Sequence, residues 1–249
     1  MDINLKSVIL AAGKGTRLQS ADDDSPKVMR TVCSRPMLWY VLDALSFVDK
    51  RDTIIVVGYR KDDVIEAFPG YTFAVQSEQL GTGHAVMSAS SELLSFNGGV
   101  LVCCGDMPTV RRETYEALVH THFEEGNDCT ILTGQSALPL PYGRIIRDES
   151  GLFREVVEER DCTPEQLKIT ELNSGVYIFN AKALLDSLKQ LTDNNAQGEY
   201  YLTDVPAIMR KVGSAIGILQ RNLGDEIIGV NTLAQLRQVE QILSDRRVV

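Results

Sequence analysis

The run V-I-L-A-A-G-K-G-T-R-L-Q-S-A-D-D-D-S-P-K, from Val8 to Lys27, constrains this chain more than any other stretch. Val8, Ile9 and Leu10 form a short aliphatic segment that reads as a buried strand, and it stops at two alanines and two glycines. The chain must turn sharply there. Gly13 and Gly15 have no Cβ, so the backbone between them can adopt positive φ and bring its N–H groups close to a ligand. Lys14, Arg17 and Lys27 add three cations within or just after the loop, the charge and donor inventory that a polyphosphate needs. A Walker loop is excluded, since no glycine stands at the required place upstream and Gly15 follows Gly13-Lys14. A dinucleotide fingerprint fails too, because Leu18 occupies the place of its third glycine and residues 22–26 read as a polar, proline-ended loop. An ordinary strand-to-loop turn with surface cations remains the alternative to phosphate binding.

The chain then alternates. Pro36 opens a helical pattern with Leu38, Val41, Leu42, Leu45 and Val48 on one face. Residues 53–57 read as a strand, 62–68 as a helix, 71–75 as a strand and 85–94 as a helix with Thr82 near its start as a cap. Strands are expected at 100–104 and 129–133, on either side of a helix around 113–122. This order predicts an α/β fold with a Rossmann-like, mostly parallel sheet, right-handed crossovers and flanking helices. Ligands on such sheets sit beyond the carboxyl ends of the strands. After residue 133 the character changes to hairpins and longer loops: a turn and strand over 141–146, strands at 155–160 and 171–179, and a polar turn at 193–204 that enters a helix. A last strand at 215–219 and a helix at 233–243 follow.

With 249 residues, 44% of them hydrophobic, the chain can bury a substantial core without staples. No segment approaches the roughly 18 consecutive apolar residues of a membrane span, and residues 1–7 hold no signal-peptide apolar region. A cytoplasmic protein without a membrane partner is expected. Five cysteines form no C-x-x-C pair and an odd count, so buried free thiols are expected. A net charge of −9 with no basic run argues against nucleic acid. An acidic chain that binds an anion must therefore concentrate cations locally or recruit a metal.

The residues after the strands carry the chemistry. In Q-S-E-Q-L-G-T-G-H-A, Gln76 and Gln79 both donate and accept while Gly81 and Gly83 open the backbone, a set able to read a pyrimidine edge; a plain polar loop is the alternative. Asp106, held between Gly105 and Met107-Pro108 after a buried strand, is the strongest metal-ligand candidate, since carboxylate oxygen suits Mg2+; capping the following helix together with Thr109 is the alternative. Glu158 reads equally as an exposed strand charge paired with Arg160 or Arg144. Asn231 reads as the cap of the last helix. No Ser/His/Asp or Cys/His set is suggested, and His84 is expected to pack or cap.

L-A-A-G-K-G-T-R with S-P-K resembles the signature loop of the sugar-1-phosphate nucleotidyltransferases. Q-L-G-T-G-H-A, N-N-A-Q-G-E-Y-Y-L-T-D and G-V-N resemble, within them, the bacterial N-acetylglucosamine-1-phosphate uridylyltransferases. The resemblance covers nearly the whole chain. It implies that Leu10, Ala11, Ala12, Gly13, Lys14, Gly15 and Lys27 wrap UTP, and that Gln76, Gly81 and Thr82 contact the uracil. It further implies that Gly143, Glu158, Asn173 and Tyr200 bind N-acetylglucosamine-1-phosphate, that Asp106 and Asn231 hold Mg2+, and that Arg17, Lys27 and Asp106 serve catalysis. It departs at Cys104, where the family often has an aromatic residue before Gly-Asp. The implied organisation is a nucleotidyltransferase domain over 1–231, with a nucleotide-binding half to about 135 and a smaller β-rich sugar-binding half from about 136. A linker helix at 232–249 follows, without the family's left-handed β-helix acetyltransferase domain, so a monomer is expected. A non-catalytic nucleotide-sugar sensor and an NAD-type oxidoreductase are the competing classes; the intact Lys27, Asp106 and Asn231 argue against the first and Leu18 against the second.

Overall fold

The computed structural model describes residues 3–18, 24–136 and 140–248. Residues 22–23 of the polar loop expected after the glycines lie outside that set. In chain order the strands are β1 (Leu5–Ala11), β2 (Thr31–Val32), β3 (Arg35–Pro36), β4 (Thr53–Val57), β5 (Thr72–Val75), β6 (Gly99–Cys104), β7 (Cys129–Gln135), β8 (Arg144–Arg147), β9 (Phe153–Val157), β10 (Glu171–Asn180) and β11 (Ile216–Arg221). The helices are α1 (Met37–Ala44), α2 (Lys61–Ala67), α3 (Thr82–Ser88), α4 (Arg112–Glu125), α5 (Ala181–Leu188), α6 (Val205–Lys211) and α7 (Leu233–Val248).

One sheet runs in the order β11-β7-β10-β6-β1-β4-β5. β1 pairs in parallel with β4 and β6, β4 with β5, and β7 with β11, as strand-helix alternation requires. β10 is the exception, antiparallel to both β6 and β7. The hairpin β8-β9 is attached to β10 as well, so the sheet continues through the second half of the chain.

Strand periodicity divides the core into two layers. Val8, Ile54, Val102, Tyr177 and Phe179 face Ala85 and Val86 of α3, Leu184 and Leu188 of α5, and Val205 and Met209 of α6. Ile9, Ile55, Leu101, Val176 and Ile178 face Leu38, Val41 and Leu42 of α1 and Tyr115, Leu118 and Val119 of α4. Both faces of the central strands are covered, so these strands read as continuous apolar runs.

Three expected elements differ. The helix expected to reach residue 94 ends at Ser88, whose hydroxyl bonds back to the His84 carbonyl, and a 3-10 turn (Ser90–Leu93) follows. Thr82 does not cap it: Gly81 precedes the helix without a side-chain cap, and Thr82 Oγ1 accepts instead from the Leu202 N–H at 3.1 Å. β9 stops at Val157, which places Glu158 at the entrance of a 3-10 turn (Glu159–Asp161) and not on a strand. α7 is docked on the first half of the chain, with Val239 and Leu243 buried beside Leu18, Val32 and Met37, and Glu240 accepting from the Cys33 N–H. No helix among the described residues is long and apolar enough to cross a membrane.

Candidate active site

The ends of β1 and β6 lie side by side, and the two loops that leave them build the centre of the site. Gly105 N–H donates to the Leu10 carbonyl at 2.9 Å, so Asp106 emerges beside the glycine loop. Gly15 has a φ of +69°, and a Cβ there would stand 2.8 Å from Lys27 Cβ. The glycine is required for conformation and for room, and it lets the loop fold against the stem of Lys27. Lys27, on a 3-10 turn (Lys27–Met29) behind Pro26, donates to the Asp106 carboxylate and to Asn231 Oδ1, the latter at 2.8 Å. The Val230 N–H donates to the Asp106 carbonyl at 3.0 Å and fixes the third segment of this convergence, the loop before α7.

The alternatives drawn for Asp106 and Asn231 are both displaced. α4 begins after Arg111 with no side-chain cap, so Asp106 is not spent on it. α7 is capped by Thr232, whose Oγ1 accepts from the Gln235 N–H at 3.2 Å, while Gln235 Oε1 accepts from the Asn231 N–H at 2.8 Å. This reciprocal box holds the Asn231 backbone and leaves its side-chain oxygen to Lys27.

Two cavities meet at Asp106. One, of about 250 Å³, is lined by Leu10, Ala11, Ala12, Gly13, Gln76, Gln79, Gly81 and Thr82, with Cys104 and Asp106 at its base. Gln76 is buried and donates to the Gly81 carbonyl at 3.1 Å. Gly81 has a φ of +110°, and a Cβ there would stand 2.6 Å from the Tyr200 carbonyl oxygen. That carbonyl accepts from the Gly83 N–H at 2.7 Å, and the Tyr200 N–H donates to the Leu80 carbonyl at 2.8 Å. The 199–202 segment thus braces the glutamine loop through its backbone.

The other cavity, of about 180 Å³, has Gly143, Glu158 and Asn173 in its wall, together with Asp106 and Asn231. Gly143 leaves no space for a Cβ, which would meet Val156 at 2.8 Å, and its carbonyl accepts from the Asn173 N–H at 2.9 Å. Glu158 accepts from Thr203 Oγ1 at 3.0 Å and forms no ion pair with Arg160 or Arg144 among the described contacts. Burial pushes its carboxyl above the ordinary range against the pull of the Thr203 hydroxyl, and Asp161, Asp204 and Glu199 push the same way. Arg17 stands at the mouth, lining a wider space of about 460 Å³ with Glu158 and Asn231.

Three residues sit apart from their expected places. Lys14 rests with its ammonium 4.8 Å from the centre of the Tyr59 ring, and Gly15 packs on Lys27, so neither lines the cavity of about 250 Å³. Tyr200 lines none of these spaces; its ring lies 6.4 Å from that of His84. Conversely, Tyr142, Tyr177 and Thr203 line the second cavity without having been singled out. Tyr142 accepts from the Gly229 N–H at 2.8 Å, a partner 87 residues away that no local spacing reveals. A larger cavity of about 730 Å³ between α3 and α5 is bordered by Lys182, Asp186 and Lys189, which already pair with one another.

Asp106 and Asn231 fit a hard divalent cation. They are two oxygen donors already holding one cationic group between them, and Mg2+ takes one or two protein oxygens and completes its shell with water and phosphate. No group of three or more His, Cys, Asp or Glu side chains placed to hold a metal ion exists among the described residues. Burial pushes the Cys104 thiol up, with Asp106 adding to the effect, so it lines both cavities as a neutral group.

Residues 7–205 match the family model described as the MobA-like NTP transferase domain. A Bifunctional protein GlmU from Clostridium novyi is 44% identical over 239 residues, 95% of this chain and 52% of that protein. The chain spans about half the length of the curated relatives it matches. A Bacillus anthracis structure described as a glucose-1-phosphate thymidylyltransferase superposes with a TM-score of 0.76 at 20% identity, covering 96% of this chain and 94% of its own. A UDP-glucose pyrophosphorylase complexed with UDP-glucose gives 0.76 at 16% identity, over 98% and 99% of the two chains. Both share the fold.

Proposed function

Because the chain belongs to the MobA-like NTP transferase domain family, we propose that it transfers UMP from UTP to N-acetylglucosamine-1-phosphate, releasing pyrophosphate. A phosphate oxygen of the sugar attacks the α-phosphorus of UTP; the new P–O bond forms as the bond to the β-phosphate oxygen breaks, and its electron pair leaves with pyrophosphate. Both reactants are anions, so the obstacles are repulsion and alignment, and no covalent nucleophile is required.

The observation that carries this reading is the convergence of Lys27 on Asp106 and Asn231 where the two cavities meet. The glycine loop and Gln76 face the nucleotide; Gly143, Glu158 and Asn173 face the sugar. On substrate binding Lys27 turns from the two oxygens to the phosphates, and Arg17 adds its charge from the mouth. Mg2+ held by Asp106 and Asn231 would supply charge neutralisation to the reacting phosphates.

The test is pyrophosphate release from UTP and Mg2+ with N-acetylglucosamine-1-phosphate, glucosamine-1-phosphate and glucose-1-phosphate, repeated with dTTP. Release confined to UTP with the acetylated sugar is expected. Release with another pair revises the specificity, and none with any pair overturns the reaction.

A further inference from the structure

Gln76 follows β5 and is only 4% exposed, yet it borders the cavity of about 250 Å³. Its backbone N–H donates to the Val57 carbonyl at 2.8 Å, which fixes the origin of the side chain. The amide nitrogen lies 3.1 Å from the Gly81 carbonyl oxygen and 3.2 Å from His84 Nδ1. A carbonyl can only accept, so the nitrogen of the amide, and not its oxygen, must stand there. That nitrogen in turn requires Nδ1 to accept, which puts the imidazole proton on Nε2. Both amide N–H groups are thereby engaged. The Gln76 carbonyl oxygen accepts from no group among the described contacts, and it is not sealed away from the space that the residue borders. His84 is held in place for this contact. It sits in the first turn of α3, its own carbonyl accepts from the Ser88 hydroxyl at 3.0 Å, and its ring lies against that of Tyr200 at a tilt of 35°.

We infer that His84 is a positioning residue for base choice: by taking the second amide N–H of Gln76, it leaves that side chain only an acceptor to offer the nucleotide. A pyrimidine must then present a ring N–H. Uracil and thymine carry one at N3, whereas cytosine carries a lone pair at the same ring position, and two acceptors would face each other there. The inference rests on the proposed transferase reaction and supplies a physical reason for its base preference. Packing or capping alone, the role expected of His84 from its place in the sequence, leaves the contact with Gln76 unexplained. Because the Gly81 carbonyl and His84 both belong to the start of α3, the two groups that hold the amide form one rigid unit.

Pyrophosphate release with Mg2+ and the preferred sugar 1-phosphate is measured with UTP and with CTP in the parent, His84→Leu and His84→Asn. The parent should favour UTP by about 10–100-fold in kcat/KM, the range expected when a buried hydrogen bond is replaced by two opposed acceptors. His84→Leu deletes the acceptor and lets the amide turn an N–H towards the base. Its UTP/CTP ratio should fall about tenfold through a higher Michaelis constant for UTP, while that for the sugar phosphate stays within about twofold. His84→Asn returns an acceptor close to the Nδ1 position and should restore most of the preference. A purely structural role would weaken both nucleotides alike and leave the ratio where it was. Equal use of UTP and CTP by the parent, a ratio unchanged in His84→Leu, or His84→Asn no better than His84→Leu would overturn the inference and leave the transferase reaction standing. A parent that releases no pyrophosphate with any pair would overturn the reaction itself, and this inference with it.

Discussion

The Lys27 ammonium bridges Asp106 and Asn231, residues 79 and 204 positions away in the chain. One side chain thus ties the glycine loop to the end of β6 and to the entrance of α7. All three belong to loops that follow the carboxyl ends of strands running the same way, so the arrangement follows from topology and cannot be read from any single segment.

Removing the carboxylate should affect turnover far more than folding. For Asp106→Ala we expect pyrophosphate release to fall by about 10²–10³-fold. Its thermal midpoint should fall much less than its turnover, because the ion pair is part-buried and Lys27 keeps Asn231 Oδ1 as a partner. Near-normal turnover with Mg2+ would remove Asp106 from the mechanism, and chelation by EDTA should abolish the parent's activity.

Gly81→Ala places a methyl group against the Tyr200 carbonyl at a backbone angle that alanine adopts poorly. A loss of about 1–3 kcal/mol in urea unfolding is expected, accompanied by a higher Michaelis constant for UTP. Equal stability of the two proteins would mean that the brace between the glutamine loop and the 199–202 segment is looser than described.

Glu158 supplies a pH signature. Its folded carboxyl titrates above its ordinary value of 4.5, so its favourable contribution is complete at low pH and is lost as pH rises through the folded value. Glu158→Gln should therefore gain in melting temperature relative to the parent between about pH 4 and pH 7. It should also weaken sugar phosphate binding. A melting difference that shrinks over that interval would contradict the burial of the charge.

The capping box of α7 is expected to act on the metal site. Gln235→Ala removes the acceptor that holds the Asn231 backbone, and the Mg2+ concentration for half-maximal turnover should rise several-fold. The stability cost should be about 1 kcal/mol, the ordinary value of a lost cap. A change in stability with no change in Mg2+ dependence would confine Gln235 to the helix.

Much of this was legible beforehand for physical reasons. Periodicity marked β1, β4, β5, β6 and β7, and Gly15, Gly81 and Gly83 sit where positive φ or a close approach demands them, whereas Gly13 has open space where a Cβ would stand and no positive φ. The insertion of β10 between β6 and β7 was not legible, because strand partners are chosen by the whole sheet and leave no local trace. Thr82 looked like a cap since nothing nearby announces Leu202, and Asn231 looked like one because Thr232 alone cannot show which of two neighbours will bond Gln235. Tyr177 was hidden among apolar strand residues, where a tyrosine reads as packing.

The antiparallel strand β10 has one further meaning. It carries Asn173 for one cavity, and its far end is paired with β6, which presents Asp106 to both cavities. A hinge between β10 and β6 would have to break that pairing. The two cavities thus share one continuous sheet, and heat or urea should melt it in a single cooperative transition.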